Sequence, residues 1–194
     1  MMNFLSQTKN FFEHLNRNVF FLSLAQIFSM TSMNINIITT GLAGFIIAPY
    51  GWLSTFPLSL QFIITMLFTF PCSILMSKYG RKIVFVGGVL SVSTGGLIMT
   101  IALFQKNFYL FCFGSVLLGL GHATNLFYRY AATETVPKNV KPKAMSLVLS
   151  AGLIAALLGP RIYQISADAI LPHLYAGSYL SLIHISEPTR LATI

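Results

Sequence analysis

The stretch that decides the fold is Asn18–Ser77, NVFFLSLAQIFSMTSMNINIITTGLAGFIIAPYGWLSTFPLSLQFIITMLFTFPCSILMS, which contains no Lys, Arg, Asp or Glu. Its 60 residues are too many for one helix, since a bilayer core is crossed by about 20 residues. The turn-rich APYGW at Ala48–Trp52 divides the stretch, so we predict two spans at 19–46 and 53–76. The apolar runs are continuous rather than alternating, which excludes transmembrane strands.

The composition of the whole chain agrees with this prediction. Of its 194 residues, 55% are hydrophobic and only 8% are charged, whereas a soluble domain needs far more charge to cover its surface. Further charge-poor runs predict spans at 83–105, 108–129 and 144–165, and a sixth that begins near 173 and is cut off. We therefore predict an all-α integral membrane fold. Residues 1–17 are expected to form a cytoplasmic segment, either an amphipathic helix on the inner leaflet or a solvated tail.

The basic residues predict the orientation in the membrane, because Lys and Arg are enriched in cytoplasmic loops. With the N-terminus in the cytoplasm, only Lys106 and Arg161 fall outside. The basic residues that fall inside are Lys9, Arg17, Lys78, Arg81, Lys82, Arg129, Lys138, Lys141 and Lys143. The same clusters explain the net charge of +8 without a nucleic-acid partner, because no basic face with interleaved aromatic residues is present.

The first span carries a polar stripe that should not face lipid. Its members recur at helical spacing and are Gln26, Ser29, Ser32, Asn36 and Thr40. Such a stripe faces either another helix or a water-filled cavity. Hydroxyl groups alone are compatible with helix packing, but amides satisfy themselves locally less easily, which favours a cavity that binds a small molecule.

A matching stripe lies on the fourth span, where Ser115, His122, Asn125 and Arg129 share one face. His122 would carry or sense protons if it titrates near neutral pH; the alternative is a neutral histidine that packs between helices. Two striped helices three spans apart predict an inverted repeat, with spans one to three and four to six as its units.

The hairpin between spans two and three, Ser73–Phe85 (SILMSKYGRKIVF), resembles a motif of the major facilitator superfamily. That motif reads Gly, three variable residues, Asp, a basic residue, any residue, Gly, Arg and a basic residue. The matching residues are Lys78, Gly80, Arg81 and Lys82, whereas Ser73 and Ser77 replace the motif's first Gly and its Asp. The resemblance covers residues 15–179 and implies the amino-terminal six-helix half of a twelve-span transporter.

In that family the motif's Asp and Arg belong to a charge network that is thought to latch the outward-facing state. Ser77 cannot supply the charge, so we predict that Arg81 pairs instead with Glu134, just past span four. The Gly159-Pro160 of span five looks like part of the family's antiporter motif, and Gly152 adds to a small-residue face for helix packing. Tyr163 and Gln164 stand where that motif has paired glycines, which leaves antiport weakly supported.

The chain ends in LSLIHISEPTRLATI, Leu180–Ile194, whose codons can spell a common transposase-type sequencing adapter followed by a barcode. We interpret residues 180–194 as translated library DNA; the alternative is a natural tail that matches by chance. We therefore expect the native sequence to continue beyond Tyr179, and this truncated chain to be inactive without the other half.

The sequence thus predicts a fragment of a secondary transporter that moves a small solute by alternating access. Its expected partners are the lipid bilayer, a small-molecule substrate and the missing carboxy-terminal half, in the inner (plasma) membrane of a bacterium. A membrane-embedded enzyme is not supported, because the spans hold no paired carboxylates, metal-spaced histidines or catalytic triad. Cys72 and Cys112 lie apart in apolar runs, so we expect no disulfide, metal or cofactor. A non-transporting receptor or scaffold remains an alternative.

Overall fold

The computed structural model describes residues 17–166 and residue 179. The helices are α1 (Arg17–Ile47), α2 (Phe56–Tyr79), α3 (Arg81–Gln105), α4 (Phe108–His122), α5 (Phe127–Glu134) and α6 (Lys141–Ser166). Two 3₁₀ turns, Gly51–Leu53 and Ala123–Leu126, join α1 to α2 and α4 to α5. Within these residues there is no strand, so the predicted all-helical fold is confirmed.

Five helical segments of the described chain are long and apolar enough to cross a membrane. The first to fifth spans are Asn18–Ile47, Gly51–Tyr79, Arg81–Gln105, Phe108–Glu134 and Lys141–Gln164. The expected segment before residue 17, the sixth span and the tail at 180–194 lie outside the described residues, apart from Tyr179, which is helical.

The fourth span is not the continuous helix that the sequence predicts. It breaks after His122 into the 3₁₀ turn and resumes as α5. The Thr124 hydroxyl donates to the carbonyl oxygen of Gly121 at 2.8 Å. In a regular α-helix that oxygen would accept from the main-chain N–H of Asn125. Such side-chain competition for the main chain is a known cause of local helix distortion. His122 ends α4 directly before the break, and Asn125 lies within the 3₁₀ turn.

Glycines let the third and fourth spans approach closely. Gly88 and Gly95 on α3 face Gly121 and Gly114 on α4. A Cβ added at Gly95 would lie 3.0 Å from the Gly114 carbonyl oxygen, and one added at Gly121 would lie 2.6 Å from that of Gly88. Small residues at helix contacts allow this backbone-to-backbone packing in membranes. On each helix the two glycines are seven residues apart, and this spacing is visible in the sequence.

Tight turns and polar contacts hold the remaining helices. Gly80 joins α2 to α3 with φ +84°, a conformation that glycine adopts readily because it has no Cβ. On the other side, Asn34 of α1 donates to the Ala155 carbonyl oxygen of α6 at 3.2 Å.

The spans differ sharply in how much of their surface the described chain covers. In the most apolar stretch of each span, only 11% of the residues of the second span and 22% of those of the fifth span are buried. In the first, third and fourth spans, 50–56% of these residues are buried. The first, third and fourth spans therefore form the core of the bundle. The second and fifth spans expose apolar faces at its surface.

Candidate functional site

The two predicted polar stripes meet inside the bundle. Seven of the eight predicted cavity residues are buried by neighbouring helices, and Ser29 is partly buried; the seven are Gln26, Ser32, Asn36, Thr40, Ser115, His122 and Asn125. In the described residues these side chains therefore face other helices, which is the first of the two arrangements that the sequence left open. Their role in lining a substrate cavity stays a proposal.

A chain of hydrogen bonds connects five of the buried polar residues. The Tyr179 hydroxyl lies 2.8 Å from Thr40 Oγ1, which donates to Asn36 Oδ1 at 3.0 Å. Asn36 Nδ2 donates to Gln61 Oε1 at 2.7 Å, and Gln61 Nε2 lies 2.9 Å from His122 Nδ1. The chain thus ties the first, second and fourth spans together with Tyr179.

The orientation of the two amides determines which atoms donate and which accept along this row of hydrogen bonds. Gln61 Oε1 accepts from Asn36, so the group that Gln61 presents to His122 is its NH₂ donor. His122 Nδ1 must then be the acceptor, and the hydrogen of the neutral ring is on Nε2. The chain therefore selects one tautomer of His122, and that tautomer presents a donor on its far side.

Gln61 is the member of this chain that the sequence interpretation missed. It is completely buried and bonds to both striped spans. A signal was available, because polar residues recur every four positions along α2, namely Gln61, Thr65, Thr69, Ser73 and Ser77. An amide inside a span also needs partners from other helices.

A second polar group surrounds the break in the fourth span. Ser29 donates from its hydroxyl to Asn125 Oδ1. Beside this bond lies a cavity of about 20 Å³, lined in part by Ser29, Ser32, His122 and Asn125. Three buried atoms of these lining residues have no hydrogen-bond partner in the described chain: Ser32 Oγ, His122 Nε2 and Asn125 Nδ2. The space is large enough for one water molecule.

Two predicted cavity residues do not join these groups. Ser115 donates to the Phe111 carbonyl oxygen of its own helix at 3.1 Å, the self-satisfied arrangement typical of hydroxyls in membrane helices. Gln26 is buried, and its Oε1 has no partner among the described residues.

The hairpin between the second and third spans carries the second candidate site. Arg81 begins α3, and its guanidinium forms an ion pair with Glu134 at the end of α5. The two side chains are 31% and 61% exposed, so the pair is accessible to water. A cavity of about 550 Å³ adjoins it and is lined by Ser73, Ser77 and Tyr130, among others.

Ser77, which stands where the family motif has Asp, does not pair with Arg81. Arg81 Nη1 is buried and has no hydrogen-bond partner in the described residues. Ser77 lines the same cavity, but its hydroxyl donates to the Ile74 carbonyl oxygen of its own helix at 2.8 Å. Of the other motif residues, Lys78 lies over the Tyr79 ring at 5.3 Å, and Lys82 is exposed.

The predicted helix-packing residues of the fifth span behave differently from one another. A Cβ at Gly159 would lie 2.7 Å from Asn34 Cβ of α1, so Gly159 lies at a close helix contact. At Gly152 there is no atom within 4 Å of an added Cβ. Gly152 therefore makes no close contact with a described residue, and its role in helix packing stays a prediction. Pro160 follows Gly159 within α6 and is exposed.

Among the residues that the model describes, no group of three His, Cys, Asp or Glu side chains could hold a metal ion.

Comparison with known proteins gives a consistent result. The family model described as Major Facilitator Superfamily matches residues 10–170. The chain is 33% identical over 165 residues to the riboflavin transporter RfnT of Brucella anthropi, an alignment that covers 85% of this chain and 42% of that protein. The chain therefore spans less than half the length of this relative. No solved structure matches.

Proposed function

Because the chain belongs to the major facilitator superfamily, we propose that it forms the amino-terminal half of a secondary transporter that moves a small solute by alternating access. The observation that carries this proposal is the alignment of 85% of the chain with 42% of a transporter. In proteins of this architecture the solute binds near the bilayer midplane between two halves, which rock around it.

The exposed apolar faces support a partner half. The second and fifth spans are the least covered in the described chain, and their exposed side chains include Met66 and Phe70 on α2 and Leu153 and Leu157 on α6. A second six-helix half that packs on these two spans would enclose a central path beside the first and fourth spans.

Riboflavin is the first solute to test, because a transporter of that vitamin is a relative of this chain. The buried polar side chains of the described spans are neutral amides, hydroxyls and one imidazole. The one described carboxylate, that of Glu134, lies at the cytoplasmic end of the fourth span. Such a site suits a neutral solute with several hydrogen-bonding groups rather than a cation that needs a buried counter-charge.

The proposal is tested first at the level of DNA and then by flux. The source DNA should be sequenced across the codon of Tyr179, where we expect the frame to continue through the sixth span and a second half. The complete protein, reconstituted in vesicles, should then accumulate riboflavin above protein-free vesicles. A frame that itself encodes SEPTRLATI and stops would overturn the interpretation of the tail, and absence of flux for riboflavin would reject that solute.

We place the N-terminus in the cytoplasm of a bacterium, at its inner membrane. The distribution of basic residues supports this orientation. Single cysteines at Lys138 and Lys106 should react differently with an impermeant thiol reagent added to whole cells. Lys106→Cys should be labelled and Lys138→Cys should not, and the reverse pattern would invert the topology.

We propose that the Arg81–Glu134 pair is a latch on the cytoplasmic side. Exposed ion pairs contribute roughly 0–1 kcal/mol, so Glu134→Gln should shift the balance between inward-open and outward-open states by no more than about fivefold. Ser77→Asp should act in the opposite direction, because its carboxylate would lie beside the unpaired Arg81 Nη1. Solvent accessibility of a cytoplasmic reporter cysteine in the full-length protein would measure both shifts.

The control for the latch is Lys138→Gln, which removes a charge from the same membrane face without altering the ion pair. It should leave the balance unchanged. If Glu134→Gln behaves like this control, and Ser77→Asp does not slow the opening of the cytoplasmic side, the pair is not a latch.

A further inference from the structure

We propose that His122 Nε2–H and Asn125 Nδ2–H form a pair of donors that holds one acceptor oxygen in the small cavity between the first, third and fourth spans. The oxygen belongs to a water molecule when the site is unliganded or to a carbonyl group of the solute when it is bound. The second source rests on the proposed transport function, whereas the first does not.

The donor character of His122 follows from its hydrogen bond to Gln61. Gln61 uses its oxygen for Asn36 at 2.7 Å and presents its NH₂ group to His122 Nδ1 at 2.9 Å. The remaining ring nitrogen, Nε2, therefore carries the hydrogen. It is buried and unpaired among the described residues, and the residue lines the cavity.

The donor character of Asn125 follows in the same way. Its Oδ1 accepts from the Ser29 hydroxyl, which leaves Nδ2 as the free end of the amide. That atom is also buried without a partner in the described chain. Two independent contacts thus leave two unpaired donors on residues that line one small cavity, and an unpaired buried donor costs free energy unless it finds an acceptor.

The cavity has the size for a single oxygen atom. Its volume is about 20 Å³, which accommodates one water molecule with two to four polar partners. Ser32 Oγ, also unpaired, can add a third contact to a water, as donor or acceptor. The rest of the wall is largely apolar or glycine, including Gly88, Val89 and Val92, so no charged group competes for the ligand.

Two substitutions of His122 separate the donor role from a structural one. Asparagine places its amide near Nδ1 and can still accept from Gln61, but it has no group at the position of Nε2. Glutamine places an NH₂ donor near Nε2 and loses the contact with Gln61. We therefore expect His122→Asn to weaken riboflavin binding to the full-length protein by about tenfold, the loss typical of one hydrogen bond, and His122→Gln to weaken it less.

Flavin fluorescence titration measures these affinities, and Thr94→Ala, which removes an exposed hydroxyl bonded within its own helix, is the control. If His122 acts only through its hydrogen bond to Gln61, the order of affinities is reversed, and His122→Gln binds riboflavin more weakly than His122→Asn. Asn125→Asp keeps the oxygen that accepts from Ser29 and replaces the donor by an acceptor, so it should weaken binding at least as much as His122→Asn.

The water is tested without any solute, in a map of the full-length protein at a resolution that shows ordered waters. Density in the cavity within hydrogen-bonding distance of His122 Nε2 and Asn125 Nδ2 supports the proposal even if riboflavin is not the solute. An empty cavity together with unchanged affinity in His122→Asn would overturn it. An empty cavity with the expected order of affinities would assign the donors to the solute alone.

Discussion

Replacing Gly121 with alanine is expected to push the third and fourth spans apart and to destabilise the protein. The new Cβ would lie 2.6 Å from the carbonyl oxygen of Gly88, a main-chain atom that cannot move without shifting α3. Overpacking of this kind costs about 1–3 kcal/mol and sometimes more. The thermal midpoint of the full-length protein should fall by roughly 1–6 °C, because the shift per kcal/mol becomes smaller as the chain becomes longer. The temperature at which the protein aggregates in detergent measures this midpoint.

The matched control is Gly87→Ala, one residue from Gly88 on the same helix. No atom lies within 4 Å of a Cβ at position 87, and alanine is the better helix former. This variant should keep or slightly raise the thermal midpoint. Equal midpoints for Gly121→Ala and Gly87→Ala would show that the two spans do not depend on close glycine contact.

Replacing Gln61 with leucine is expected to break the buried hydrogen-bond chain at its centre. Asn36 Nδ2 and His122 Nδ1 would lose their partners among side chains that are buried. Each unsatisfied group costs about 1–3 kcal/mol in soluble proteins, and hydrogen bonds between membrane helices average about 0.6 kcal/mol. We expect a combined loss of about 1–3 kcal/mol and a loss of solute flux, because His122 would no longer be held in one tautomer.

The same substitution at Gln105 provides the control, since Gln105 is exposed at the end of α3. Gln105→Leu changes the same atoms without uncovering buried polar groups and should leave both stability and flux intact. If the midpoint and the flux of Gln61→Leu match those of Gln105→Leu, the hydrogen-bond chain contributes neither to stability nor to transport.

Several parts of the site could be predicted from the sequence, because each depends on the residues of one helix or one loop. The polar periodicity of the first and fourth spans identified the faces that turn away from lipid, and these faces are buried. The scarcity of acidic residues on the cytoplasmic side predicted a partner for Arg81, and the structure brings Arg81 and Glu134 together. Gln61 was not predicted, although it begins a row of polar residues spaced by four along α2. Only the packing of the helices shows that its amide contacts both the first and the fourth span.

The sequence by itself determined the class of fold and the number of described spans, because the cost of burying charge in a bilayer makes each charge-free run of helical length a span. Only the tertiary structure decided which polar groups meet. Gln61, Asn36 and His122 come from three different helices, and their contact depends on the angles and the depth at which those helices pack. The close approach at Gly88 and Gly121 and the break after His122 are set in the same way, by atoms of neighbouring helices that no single segment contains.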